Sequence, residues 1–299
     1  MAAESRKHVG LKIGLSTIAL VALGFAALFA FGPSAPSTLV GPEPSPHADL
    51  LDLLPDTPTR EAVDALKAAA PASFAELDAL STRAIAGGAD AQAVSELVLE
   101  ALFGQFQTQA SAVKAANSDQ FQTVVADLAE GLRALKASDS TWCNGARMAD
   151  FLAQNDADLV PTLLAEFSYG SPQYDWAMGW MTTILNAAAQ GQATPHRYAR
   201  PGFRDEAILQ QEGLALGSEQ WALGLQIASF ANSEGTSYAQ MKEVIGSMNV
   251  CDLGIAVETV SGRLPDDVRG RIWSDLMPEI MAGNTPYVMY RVNDYFFIG

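Results

Sequence analysis

The chain has 299 residues, 49% of them apolar and 17% charged, with 34 acidic against 18 basic side chains and a formal net charge of -16. That length supports one or two domains with a sizeable core, and the acidic balance excludes a broad nucleic-acid surface, which needs a positive field to meet phosphate. Three histidines and two cysteines, with neither CxxC nor HExxH, exclude an ordinary zinc-finger set, so no metal or cofactor is expected.

The first strong signal is the uncharged run Ile13–Phe31, nineteen residues long. At about 1.5 Å per helical residue it approaches the roughly 30 Å thickness of a bilayer's hydrocarbon core. Residues 13–32 therefore read as a transmembrane signal-anchor helix in contact with the lipid bilayer. Arg6, Lys7 and Lys12 precede the run, whereas the first charges after it are Glu43 and Asp49. By the positive-inside asymmetry, residues 1–12 form a short cytoplasmic tail and everything beyond is exported. A cleaved signal peptide is the competing reading; its apolar region is usually shorter, and Leu28-Phe29-Ala30 makes a poor cleavage site. Ala22, Ala26 and Ala30 recur every fourth residue, which offers a small-residue seam for helix packing in lipid or an ordinary lipid-facing surface.

Residues 33–48 carry Pro33, Pro36, Pro42, Pro44 and Pro46 among small and polar residues. Proline fixes φ and removes a donor, so this segment is expected to be a semi-extended spacer. Residues 49–299 then read as an acidic, mainly helical exported domain, a bundle or a stack of helical hairpins. Thr57 as N-cap and Pro58 as N1 start a short helix to about Ala69, and Ser73 with Glu76 forms a capping box for another ending at Gly87-Gly88. Asp90 opens a longer helix with Val94, Leu97, Val98, Ala101, Leu102 and Phe106 on one face. Ser118 caps the next, with Phe121, Val124, Val125, Leu128, Leu132 and Leu135 as its stripe. The FQT triplets at Phe106 and Phe121 are too isolated to mark a solenoid. Further helices are expected near 142–153, 156–168, 172–189, 219–231, 236–248 and 265–277. Val250–Val260 has enough β-branched residues for a strand, and the terminal TPYVMYRVNDYFFIG is rich in strand formers, so a minor β element is allowed near the C-terminus.

Cys143 and Cys251 both fall on the exported side, where disulfides persist, and a bond between them is the leading long-range contact; buried free thiols are the alternative. From Ser171-Pro172, Trp176, Trp180 and Ile184 follow at four-residue spacing and share a helical face, suited to a core or to a partner interface. His196, Arg197, Arg200 and Arg204 lie in the loop HRYARPGFR, a basic reversal in a region holding 32 acids against 15 lysines and arginines from Asp49 onward. Such a loop suits an acidic partner segment, an anionic glycan or a lipid headgroup, or else simple pairing with neighbouring acids.

Catalytic signals are fragmentary. Ser111 and Lys114 have SxxK spacing without SDN or KTG, and Gly235–Ala239 departs from GxSxG at its last position. Asp266-Asp267 suits a helix start, and Glu166 with Asp175 would form an acid pair only if the fold brought them together. No catalytic residue is assigned, and a non-enzymatic role is favoured. The expected function is a scaffold or accessory subunit in a membrane-associated protein complex, single-pass in a bacterial inner membrane with its C-terminal domain in the periplasm. An envelope enzyme acting on peptidoglycan or another glycan and a periplasmic ligand-binding sensor are the alternatives.

Overall fold

Helix breakers and side-chain caps divide the chain into helical segments that bury their apolar faces against two long helices and against one another. The computed structural model describes residues 54, 56–152, 167–231, 243–282, 284, 287–288, 290–292 and 295. Among them the elements are α1 (Thr57–Ala69), α2 (Pro71–Ala86), α3 (Ala91–Thr108), the short α4 (Ala110–Val113), α5 (Ser118–Ala137), a 3-10 turn (Thr141–Cys143), α6 (Gly145–Leu152), α7 (Pro172–Ala193), α8 (Phe203–Leu216), α9 (Glu219–Ala231), α10 (Val250–Arg263) and α11 (Asp266–Met281). The fold is mainly helical, and no strand occurs among the described residues; a single antiparallel bridge joins Asn144 to Asn249.

The central helix is α7. Ser171 caps it by accepting from the Tyr174 amide, and Pro172 occupies its first turn. It packs on α1, α5 and α4, burying Tyr174, Ala177, Met178, Trp180, Met181, Ile184 and Leu185. The Tyr174 hydroxyl meets that of Thr59 on α1 at 2.8 Å. Near the other end, Gln192 donates to the Ala69 carbonyl, and Gln190 accepts from the Asn117 amide at 2.9 Å. Gly191 lets α7 pass directly over α4, since a Cβ there would lie 2.1 Å from the Ala112 carbonyl oxygen.

On its other side α5 carries α10 and α11. Ser261 of α10 links the three, donating to Gln122 at 2.7 Å and accepting from the Trp273 indole at 2.9 Å. Arg269 is buried between the starts of α5 and α11, donating to the Ser118 hydroxyl and to Asp266. The C-terminal residues are held on α11 by Asp275, which accepts from Arg291 Nε at 2.8 Å and from the Tyr295 hydroxyl at 2.7 Å. Burial first, then the adjacent Asp275 carboxylate, raises the Tyr295 phenol well above its ordinary pKa.

Several local expectations change. Val250–Val260 is helical because Asn249 caps it by accepting from the Asp252 amide. Its buried Val250, Leu253, Gly254, Ala256 and Val260 also follow a helical rather than an alternating period. The described residues of the C-terminal tail are helical as well, so the allowed β element is absent among them. The second helix starts at Pro71 rather than at a Ser73 cap, since proline at the first position needs no amide partner. In α3 the buried stripe includes Leu99, with Leu97 only half-buried, and α5 is capped by Asn117 one residue before Ser118. The segment near 142–153 divides into the 3-10 turn and α6, while α8 has no counterpart among the expected helices. The expected helices 156–168 and 236–248 lie mostly outside the described residues. The signal-anchor, the Ala22, Ala26 and Ala30 seam and the proline spacer lie entirely outside them. Among the described residues no helix is long and apolar enough to cross a membrane.

Cys143 and Cys251, separated by 108 positions in the sequence, form a disulfide with Cα atoms 5.0 Å apart. It joins the turn after α5 to the first turn of α10, and the Gly145 amide donates to the Met248 carbonyl beside it. Closing a loop of that size is worth roughly 4 to 5 kcal/mol in the chain-entropy description. Replacing both cysteines with serine is expected to lower the unfolding free energy by up to about that amount, read from urea titrations of the oxidised protein and the variant.

Candidate interaction surfaces

The Trp176, Trp180 and Ile184 stripe faces inward. Ile184 is fully buried, and Trp180 is 4% exposed. Each indole donates into the backbone of α5, Trp180 to the Val124 carbonyl at 3.1 Å and Trp176 to the Asp127 carbonyl at 3.0 Å. The two rings stack with centroids 6.4 Å apart, and Trp180 also lies 5.8 Å from Phe106. Trp176 rests on Gly131, where any Cβ would collide with the indole. Most of the stripe therefore serves α5–α7 packing, while Trp176 remains half-buried at the margin.

That margin borders an open groove of about 350 Å³ lined by Asp127, Glu130, Gly131, Ala134, Trp176 and Gly179. The Asp127 carboxylate is committed to the Thr183 hydroxyl, whereas Glu130 is exposed. The groove thus combines an indole, small residues and a solvent-facing carboxylate. A second cavity, of about 40 Å³, lies between α8, α9, α10 and α11 among Leu209, Trp221, Val260, Ile272 and Trp273. It has room for no more than a few atoms and offers no site for a metabolite-sized ligand.

The loop between α7 and α8 displays His196, Arg197 and Arg200, and Arg204 follows in the first turn of α8; all four are exposed. Proline at 195 and 201 prevents helix from running through it. Its backbone is nevertheless fixed. The His196 amide donates to the Ala115 carbonyl at 2.8 Å, Pro201 is buried, and Tyr198 lies against Gly270 of α11 and 6.1 Å from the Phe121 ring. Arg200 reaches the Tyr287 hydroxyl at 3.4 Å. These contacts place the cations on one edge of the fold, apart from the groove-forming residues of α5.

The helix that follows, α8, adds two residues that sequence reasoning missed. Phe203 is 77% exposed and Leu214 is 74% exposed. The signals were present in Gly202-Phe203-Arg204-Asp205 at the start and Gly217 at the end. Asp205 reaches back to the Gly202 amide at 3.0 Å, and Gly217 closes the helix at φ +60. With little hydrophobic periodicity between them, those end signals went unread.

Asp205 also receives a two-pronged bond from Arg271, at 2.9 and 2.7 Å, and Arg271 bonds Asp267 at 2.9 Å. Burial alone would raise the Asp205 pKa; the hydrogen bonds from Arg271 and the Gly202 amide outweigh it and hold the carboxyl below its ordinary value. Asp266 and Asp267 accordingly serve the start of α11 through Arg269 and Arg271.

Among the described residues the remaining chemical candidates do not converge on a reaction site. Ser111 and Lys114 are both exposed at α4, and Asp175 is exposed in the first turn of α7. Glu166 and the segment Gly235–Ala239 lie outside the described residues. Among the described residues no group of three histidine, cysteine or acidic side chains is arranged to hold a metal ion. No family model matches the chain, and neither curated proteins nor solved structures yield a match.

The lowered pKa of Asp205 sets an acid limit. Its contribution to stability is present above the ordinary carboxylate value near 4 and is lost as pH falls through the lower folded value. Asp205→Asn is expected to cost about 3 kcal/mol at neutral pH by leaving Arg271 without its buried partner. It should also flatten the loss of stability below pH 4, as measured by urea unfolding across the acid range.

Proposed function

We propose that this protein is a membrane-anchored scaffold or accessory subunit, whose exported helical domain recruits partners in a membrane-associated complex. Location and reach come from the N-terminal sequence: the uncharged run Ile13–Phe31 as anchor and the proline-rich residues 33–48 as spacer. The Cys143–Cys251 disulfide fits an oxidising compartment such as the periplasm. Tethering of this kind raises the effective concentration of a binding surface without chemistry at the site.

The observation that carries the partner-binding reading is the groove beside Trp176. A half-buried indole backed by a rigid helix pair presents contact area at little entropic cost, and Glu130 beside it supplies a charge that can fix orientation. The same indole and carboxylate also suit a glycan strand, which supports an envelope glycan-binding or glycan-cleaving protein as the second reading.

The experiment is crosslinked, mild-detergent co-purification of the full-length protein beside Glu130→Arg, a surface change that leaves the core untouched. Stoichiometric partners recovered with the wild type are expected to be lost from the variant, with circular dichroism and Tm unchanged. Partners retained by the variant would remove the groove from the interface. No partners under any crosslinking condition would refute a stable complex, and turnover of purified glycan abolished in Glu130→Gln would establish the second reading in its place.

A further inference from the structure

The exposed face of α8 has an unusual makeup for so acidic a protein. Phe203 and Leu214 are eleven residues apart, which is three helical turns plus about 20°, so they lie on one face about 16 Å apart. Ala207 and Gln211, between them on that face, are exposed as well. The acids of this helix lie elsewhere: Asp205 and Glu206 are buried, and Glu212 is half-buried at about 180° from Phe203. At the N-terminal end of the stripe stand the exposed Arg197, Arg200 and Arg204. Tyr287, which meets Arg200, is followed one helical turn later by Tyr290, itself 50% exposed. The neighbouring acids at the start of α11 are engaged, Asp266 by Arg269 and Asp267 by Arg271.

Apolar side chains on one helix face, arginines beside them and a tyrosine nearby are the composition of a surface that lies in a bilayer interface. An acidic partner segment would account for the arginines but not for two large apolar side chains each about three-quarters exposed. The chain outside the described residues favours the same occupant. Its spacer, residues 33–48, reaches up to about 50 Å in an extended proline-rich form. A domain of this size is about 45 Å across, so any of its faces can turn to the membrane that holds the anchor. From Asp49 onward 32 acids stand against 15 lysines and arginines, an excess that repels the rest of the domain from anionic lipid and leaves the arginine-bearing edge as the face of approach.

We propose that the outward face of α8, with the arginine loop at its N-terminal end, docks on the anionic headgroups of the bilayer in which the chain is anchored. Phe203 and Leu214 enter the boundary between headgroups and acyl chains. This rests on residues 13–32 being a membrane span.

The test uses the full-length chain carrying an environment-sensitive nitrobenzoxadiazole label on Gln211→Cys, reconstituted into vesicles of phosphatidylcholine alone or mixed with phosphatidylglycerol. A blue shift is expected in the phosphatidylglycerol vesicles, reduced by high salt and absent from phosphatidylcholine. It should be lost in the triple variant R197Q, R200Q and R204Q, and also in F203S with L214S. All five positions are exposed, so both variants should keep the circular dichroism of the parent. A chain that floats with vesicles while its label stays in water overturns the docking and leaves the anchor standing. A shift that persists in the arginine variant, or one that appears only when an acidic protein is added, also overturns it. Failure to float at all overturns the anchor and the docking together, while the groove beside Trp176 is tested separately by co-purification.

Discussion

The seam between α5 and α7 fixes everything else. Two indoles on α7 donate to successive turns of α5 backbone, at Val124 and Asp127, and the Trp176 ring lies against Gly131. Those bonds set both the spacing and the rotation of the two helices, because an indole N–H buried without a partner would cost on the order of 1 to 3 kcal/mol. From this seam α7 reaches α1 through Tyr174 and Thr59, and α5 reaches α10 and α11 through Gln122, Ser261 and Trp273. The groove beside Trp176 is the margin of the seam rather than a separate construction, floored by residues of the same helix pair.

Charge is distributed by the same logic. Arginines whose positions matter to the fold, Arg269, Arg271 and Arg291, are drawn into ion pairs with Asp266, Asp205 and Asp275. Those of the loop after α7 remain on the outside, although their backbone is held by Ala115, Tyr198 and Pro201. A cation on a fixed loop differs from one on a mobile tail: it loses less entropy on binding, and it presents a set orientation.

Much of the helical domain was legible in the sequence because the relevant signals are local. Asp90 and Ser171 cap the helices they were expected to open; α1 begins where expected, but Asp56 rather than Thr57 caps it, its carboxylate accepting from the Thr59 amide. Phe121, Val124, Val125, Leu132 and Leu135 all bury as their period requires. The reading failed where composition and period disagree. Val250–Arg263 carries β-branched residues, yet its Asn249 cap and three-to-four spacing decide for helix. In α8 two large hydrophobes, Phe203 and Leu214, point outward while Ile208 and Leu209 face the core, so the apolar residues fall on both sides and give no clean stripe from which to read a helix. The disulfide was expected from compartment, but its partners' proximity depends on how α10 packs on α5, which no spacing in the sequence encodes. At the Trp176 stripe the spacing foretold a shared face without saying that two of its three residues would be consumed by packing.

The disulfide also changes what a broken chain would mean. Cys143 and Cys251 enclose α6, α7, α8 and α9, so a single cut anywhere among these elements yields two pieces that remain one covalent molecule. The N-terminal piece would keep α1 to α5 and the C-terminal piece α10 and α11, and these pack on each other across the bond. A proteolytic nick in the enclosed stretch would thus leave the C-terminal half attached to whatever holds residue 1. For a cut in that stretch, only reduction of the bond as well would set the C-terminal half free, so its release by such a nick would require two independent chemical events.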